Sequence, residues 1–185
     1  MAPERAWVPP HPGWTCPACG FAYDAAEPAS TPDAFRGFGR RYRTPLSRGL
    51  AGEDLDALLR VRPSAERWSA LEYAGHVRDV FAVHDDRIAR ALAEDRPPVA
   101  RMDPDELVVE RAYNAQDPAA LADELAEVAD RLAARLAAVD GGGWQRVVVR
   151  DGNDLTVDWM ARNAAHEGGH HLLDVGRTLR EARGR

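Results

Sequence analysis

His166 and His170 stand one helical turn apart in the run Asp158-Trp159-Met160-Ala161-Arg162-Asn163-Ala164-Ala165-His166-Glu167-Gly168-Gly169-His170-His171-Leu172-Leu173-Asp174. Side chains four apart on an α-helix are turned only about 40° from one another, so both imidazoles leave the same side. Two imidazoles at that spacing can hold one divalent cation. A third histidine, His76, lies midway along another strongly helical segment and is the natural partner across a bundle. Three neutral imidazoles leave a zinc-like ion with a vacant position, which is the arrangement of a catalytic site and not of a structural one. Zinc is expected first, and nickel or iron also suits such ligands.

His166-Glu167-Gly168-Gly169-His170 also matches H-E-x-x-H, the signature of zinc proteases. Those enzymes take a third ligand downstream, and only fifteen residues follow His170. The extended form fails as well, since Leu173 and Gly176 occupy the positions that need glycine and histidine. Glu167 is turned about 100° from His166 and is read as facing solvent or a flanking arginine. Gly168 and Gly169 each cost roughly 1 kcal/mol against alanine inside a helix. The cost implies room beside the helix for another backbone, a ligand or a substrate. Asn163 and Asp174 are placed to orient the pair, and Asp79 to orient His76.

A second constellation is Cys16-Pro17-Ala18-Cys19-Gly20-Phe21, half of a zinc-ribbon-type knuckle. A structural zinc needs four protein ligands, and no second C-x-x-C exists. His11 and Asp24, or a residue of the bundle, are candidates to complete it. Free thiols under a turn, or a labile redox pair, are the alternatives.

These groups must be positioned by helices. Phe35, Phe38, Tyr42 and Leu46 recur at three- and four-residue intervals and predict a first amphipathic helix from Pro32 to about Arg48. Ser69-Ala70-Leu71-Glu72 fits a capping box that opens a second, running to about Glu94. Leu71, Ala74, Val77, Phe81, Ile88 and Leu92 form its buried stripe, with His76 beside it; His84 is read as structural. Residues 99–116 fit either a short helix or an extended segment. Asp117-Pro118 caps a third helix ending at Gly141. Arg146–Arg150 and Leu155–Val157 flank Asp151-Gly152-Asn153, a small hairpin. The last helix spans about Thr156 to Ala182. The expected fold is therefore all-α, a four-helix bundle over 31–185 behind an irregular arm at 1–30.

Composition sets the outer limits. The 185 residues are 45% hydrophobic with a net charge of −6, enough for one domain with a core and without the basic excess that nucleic acid demands. No apolar run reaches the ~18 residues of a membrane span, and Met1-Ala2-Pro3-Glu4-Arg5 lacks the plan of a secretory signal, so a cytoplasmic protein is expected. All 24 basic residues are arginine. Without lysine there is no Schiff-base chemistry. Two cysteines exclude a disulfide framework. An extended arm needs a surface to lie on, which suggests a homodimer.

Trp68-Ser69-Ala70-Leu71-Glu72-Tyr73-Ala74-Gly75-His76-Val77-Arg78-Asp79, followed some ninety residues later by His166-x-x-x-His170-His171-Leu172-x-Asp174, resembles the DinB/YfiT-like superfamily of bacterial metalloproteins. The likeness covers about residues 32–182. It implies a bundle with two long crossover connections and metal ligands His76, His166 and His170, with His171 not ligating. Studied members include thiol-dependent transferases and isomerases that use mycothiol or bacillithiol. The Cys16/Cys19 arm resembles that of an actinobacterial subgroup.

The expected activity is metal-dependent transfer of a low-molecular-weight thiol to a small electrophile, or its isomerisation, with Arg78 or Arg162 holding an anionic substrate. A hydrolase acting on a small ester or amide is the first alternative. A non-catalytic metal-binding or sensor module, in which Cys16 and Cys19 matter most, is the second.

Overall fold

Ser69 begins the helix that carries His76. Its hydroxyl accepts from the Glu72 N–H at 3.1 Å, while the Glu72 carboxylate takes the Ser69 N–H at 2.8 Å. Such a box is worth about 1 kcal/mol and fixes where the helical phase starts. The computed structural model describes residues 13–184 and carries six helices among them: α1 (Thr31–Ser47), α2 (Leu55–Leu59), α3 (Ala70–Ala93), α4 (Pro104–Glu110), α5 (Pro118–Ala137) and, after the strands β1 (Val147–Arg150) and β2 (Asn153–Thr156), α6 (Val157–Ala182). Single 3-10 turns fill parts of the connections.

The long helices follow the apolar spacing closely. α1 and α3 match the expected spans to within a residue, and Asp117 and Thr156 cap α5 and α6 through their side-chain oxygens. Residues 99–116, open on sequence, form α4 behind the Asp103 cap and then a turn that buries Tyr113.

Around the bundle the neighbours run α1–α5–α3–α6 and back to α1. Consecutive long helices α1 and α3 therefore sit on a diagonal, as do α5 and α6. Both diagonals need long connections, residues 48–69 and 138–156, and these are the two crossovers expected. The core between them contains Phe35, Phe38, Tyr42, Leu71, Val77, Phe81, Leu125, Leu132, Met160 and Ala164. Asp85 of α3, buried, ties α5 down through Arg131 at 2.9 Å and Arg135 at 2.5 Å.

The second crossover contains the hairpin. Val147 pairs with Thr156 and Arg150 with Asn153, so the turn is the two residues Asp151-Gly152, both left-handed (φ 52° and 77°). That conformation at both positions is the primed turn that matches strand twist. Residues 97–99 add a short extended piece alongside, with Val99 N–H donating to Val149 O at 2.9 Å. No helix among the described residues is long and apolar enough to cross a membrane.

The two mid-helix glycines have different reasons. A Cβ on Gly168 would lie 2.7 Å from Phe81 Cζ and 2.8 Å from Phe38 Cε2, and Tyr42 donates to the Gly168 carbonyl at 2.8 Å. The space beside Gly168 is thus filled by core aromatics, not by a ligand. A Cβ on Gly169 would meet nothing within 4 Å. Gly168→Ala is expected to destabilise by about 1–3 kcal/mol through overpacking. Gly169→Ala is expected to gain up to ~1 kcal/mol from helix propensity. Urea denaturation midpoints of the two variants check both signs.

Candidate metal centre

Two pairs of side chains able to ligate a metal, each spaced i, i+4 and offset by one residue, leave α6 in different directions. His166 and His170 turn toward the arm, and Glu167 and His171 turn toward α3. Among the described residues, ligating atoms gather within 4.8 Å in three groups: Cys16, Cys19, His166 and His170; His76, Glu167 and His171; and His170, His171 and Asp174.

The structure therefore divides the expected triad. It brings His166 and His170 together, but with the two cysteines. His76 meets Glu167 and His171 instead. His76 Nε2 lies 3.5 Å from Glu167 Oε2, and His171 Nε2 lies 3.3 Å from the same oxygen. The rings of His76 and His171 stand edge to face with centroids 4.9 Å apart.

Asp174 completes the geometry. Its Oδ2 lies 3.0 Å from His171 Nδ1, and the other ring nitrogen, Nε2, faces Glu167. The same carboxylate lies 3.4 Å from His170 Nε2 and 3.0 Å from Arg177 Nη1. Trp68 and Tyr73, both half-buried, wall this side: Trp68 is 5.2 Å from the His76 ring, and Tyr73 stacks on His171 at 5.3 Å.

The electrostatics match a site built for positive charge. Burial alone would lower His171, but hydrogen bonds with Asp174 and Glu167 push it up to about 9. Burial opposes the Glu167 anion, yet His171 and His76 outweigh it and hold the carboxyl well below its usual range. His76 is lowered, chiefly by burial. Two imidazoles and a carboxylate, converging from two helices and partly open to solvent at Glu167, fit a divalent cation with open positions.

The other sequence candidates find other employment. Asp79 does not orient His76; it accepts from Tyr113 Oη at 2.6 Å and pairs with Arg78 and Arg111. Arg78 bonds Asp79, Gln116 and Glu124 within the bundle, and Arg162 bonds Asp158 and the Tyr23 carbonyl, so both guanidiniums are committed to structure. Asp24 stands outside the cysteine group, and His11 lies outside the described residues. Glu167 and His171 were legible only as a second i, i+4 pair, a signal that says nothing of which face meets His76. A cleft of about 570 Å³ opens between α3 and the segment around α4, lined in part by Arg87, Met102 and Leu107, and it contains none of the clustered residues.

The DinB superfamily sequence model matches residues 47–175, most of the bundle. The chain belongs to the DinB superfamily. A solved structure of YfiT from Bacillus subtilis superposes with a TM-score of 0.75 at 13% identity, covering 85% of this chain and 90% of that one. That protein is described as a probable metal-dependent hydrolase with an unusual four-helix bundle topology. No curated protein matches this DinB chain.

His84 is a structural histidine, as its place on the margin of α3 implied. Its Nδ1–H donates to Val80 O at 2.9 Å, and Nε2 accepts from Asn163 Nδ2 at 3.3 Å. Burial and the neighbouring Arg87 charge lower its pKa to about 4. A histidine depressed in the fold binds its proton more readily when unfolded. Its contribution is thus complete above the unfolded pKa near 6.5 and is lost as pH falls toward 4. Between pH 7.5 and pH 5 the wild type is expected to lose about 2 kcal/mol more stability than His84→Gln, read from urea unfolding at the two pH values.

Proposed function

We propose that this DinB protein is a metal-dependent enzyme in which His76, Glu167 and His171 hold one divalent cation, zinc by preference, and that it transfers a low-molecular-weight thiol such as mycothiol to a small electrophile. The observation that carries the reading is the convergence of two imidazoles and one carboxylate from α3 and α6 at a partly exposed wall.

When bound, the cation lets a thiol or water lose its proton near neutral pH, because it stabilises the resulting anion. The chain's own residues do the rest. Asp174 holds His171 in the tautomer whose Nε2 faces the centre. Trp68 and Tyr73 form an aromatic wall that keeps water from one side and offers a flat surface to a substrate. Both carboxylates of the α6 cluster are already engaged, Glu167 by His76 and His171, and Asp174 by His170, His171 and Arg177. Neither is spare to act as general base on a water. A thiol, already acidic near pH 8.5 and further acidified by a cation, needs no such base. A cation acidifies water as well, but a thiol starts about 7 pKa units more acidic than water and depends least on a base, which supports thiol transfer as the first reading.

Hydrolysis of a small ester or amide at the same centre is the second reading, favoured by the likeness to the Bacillus subtilis protein described as a probable metal-dependent hydrolase.

Glu167→Gln and His171→Ala are each expected to cut metal-dependent conjugation of mycothiol to a generic electrophile by ~100-fold or more, and Asp174→Asn by ~10- to 100-fold. The assay is run with zinc, nickel and iron, with and without thiol. Ester or amide turnover without thiol would replace the first reading by the second, and no turnover under any condition would remove both.

A further inference from the structure

The group formed by Cys16, Cys19, His166 and His170 has no part in the chemistry above. Cys16 and Cys19 sit in a tight knuckle, closed by Gly20 N–H to Cys16 O at 2.8 Å and Cys16 N–H to Phe21 O at 2.9 Å. Both thiols are free, and Cys16 is buried. The knuckle is pressed onto α6 by Arg177, which donates to Ala18 O at 2.9 Å, and by Arg162, which donates to Tyr23 O. Tyr23 itself donates to Asn163 Oδ1 at 2.9 Å.

We infer that these four side chains form a closed, structural zinc site that pins the arm to the last helix. Each imidazole has one nitrogen beside an oxygen and the other available to ligate. His170 directs Nε2 to Asp174 at 3.4 Å and turns Nδ1 to Cys16 Sγ at 3.5 Å. His166 sets Nδ1 against the Tyr23 hydroxyl at 3.4 Å, and its Nε2 is buried with no hydrogen-bond partner. The histidine is 8% exposed and ringed by Trp14, Phe21 and Tyr23, so an unpartnered nitrogen there is costly unless something accepts its lone pair.

The spacing fits as well. A tetrahedron with the usual zinc–sulfur and zinc–nitrogen bonds has a sulfur-to-nitrogen edge of about 3.6 Å. Cys16 Sγ and His170 Nδ1 are 3.5 Å apart, and all four donors lie within 4.8 Å. With two thiolates and two imidazoles the coordination is complete, leaving no vacancy for a substrate.

This site adjoins the His76–Glu167–His171 centre. His170 and His171 are sequence neighbours with ring centroids 4.9 Å apart, and both reach Asp174. The arm's zinc therefore holds one side of the carboxylate that orients His171. The inference stands whether or not the proposed catalytic reading does, because it rests on a different ligand set.

The test uses the full chain, purified with zinc and, separately, with cobalt. Elemental analysis is expected to find one zinc that survives His76→Ala and is lost in Cys16→Ser and in His166→Ala. The cobalt form is expected to show thiolate-to-cobalt absorption in the near ultraviolet, retained in His76→Ala and lost in Cys16→Ser. A measurement on the unaltered protein guards against variants that fail to fold: alkylation of the cysteines should be at least ~10-fold slower with zinc than after chelation. Absence of thiolate-to-cobalt absorption in the wild type, thiols equally reactive with and without zinc, or a Cys16–Cys19 disulfide in zinc-supplemented protein would each overturn the assignment. So would a thiolate signature that persists in His166→Ala and His170→Ala.

Discussion

The phase of α6 governs the arrangement. With about 100° between successive residues, His166 and His170 occupy one edge of the helix, and Glu167 and His171 an edge roughly 100° around it. Asp174 falls at about 80° on the same wheel, between the two edges, and it contacts an imidazole from each. One helix thus presents two sets of groups able to ligate a metal to two different partners, α3 on one side and the arm on the other. A rotation of α6 by a single residue would exchange the sets and bring His76 to the wrong pair.

What holds that phase is packing on the remaining faces. The Thr156 side chain starts α6 at a defined residue, 3.0 Å from the Trp159 N–H. Gly168 accepts the close approach of Phe38 and Phe81, which no larger residue would allow, and Tyr42 locks the same turn through its hydroxyl. The aromatic stripe of α1 therefore does more than fill the core, since it sets which edge of α6 looks toward α3. The diagonal order of the bundle follows the same logic: the long crossovers bring α3 and α6 side by side, and the catalytic candidates are drawn from that one seam.

Electrostatics then sort the two clusters. Around Glu167 and Asp174 negative charge is concentrated and partly shielded from water, so a compensating cation is favoured, whether a proton on His171 or a metal ion. Around Cys16 and Cys19 the surroundings are aromatic and the donors softer, which suits complete enclosure and not turnover. The two proposed centres, one open and one closed, lie within two turns of the same helix.

Periodicity and capping residues determined the four long helices, the Asp151-Gly152-Asn153 turn gave the hairpin, and the motif residues around His76 and His166 carried the resemblance to the family. Ser69, Asp117 and Thr156 announce their helix starts locally, and the stripes of α1 and α5 are read directly from their spacing. The same reading singled out the segment of α6 and the histidine of α3 that the structure brings face to face. It took His166 and His170 as the partners of His76 and read Glu167 as facing solvent or an arginine, although Glu167 and His171 satisfy the same i, i+4 rule and differ only in direction. It left open which residue of the bundle would meet Cys16 and Cys19, and only the fold brings that arm, some 150 residues away in sequence, beside His166 and His170. Those choices depend on how α6 is rotated against Phe38, Phe81 and Tyr42, a property of packing between distant segments that no local spacing encodes.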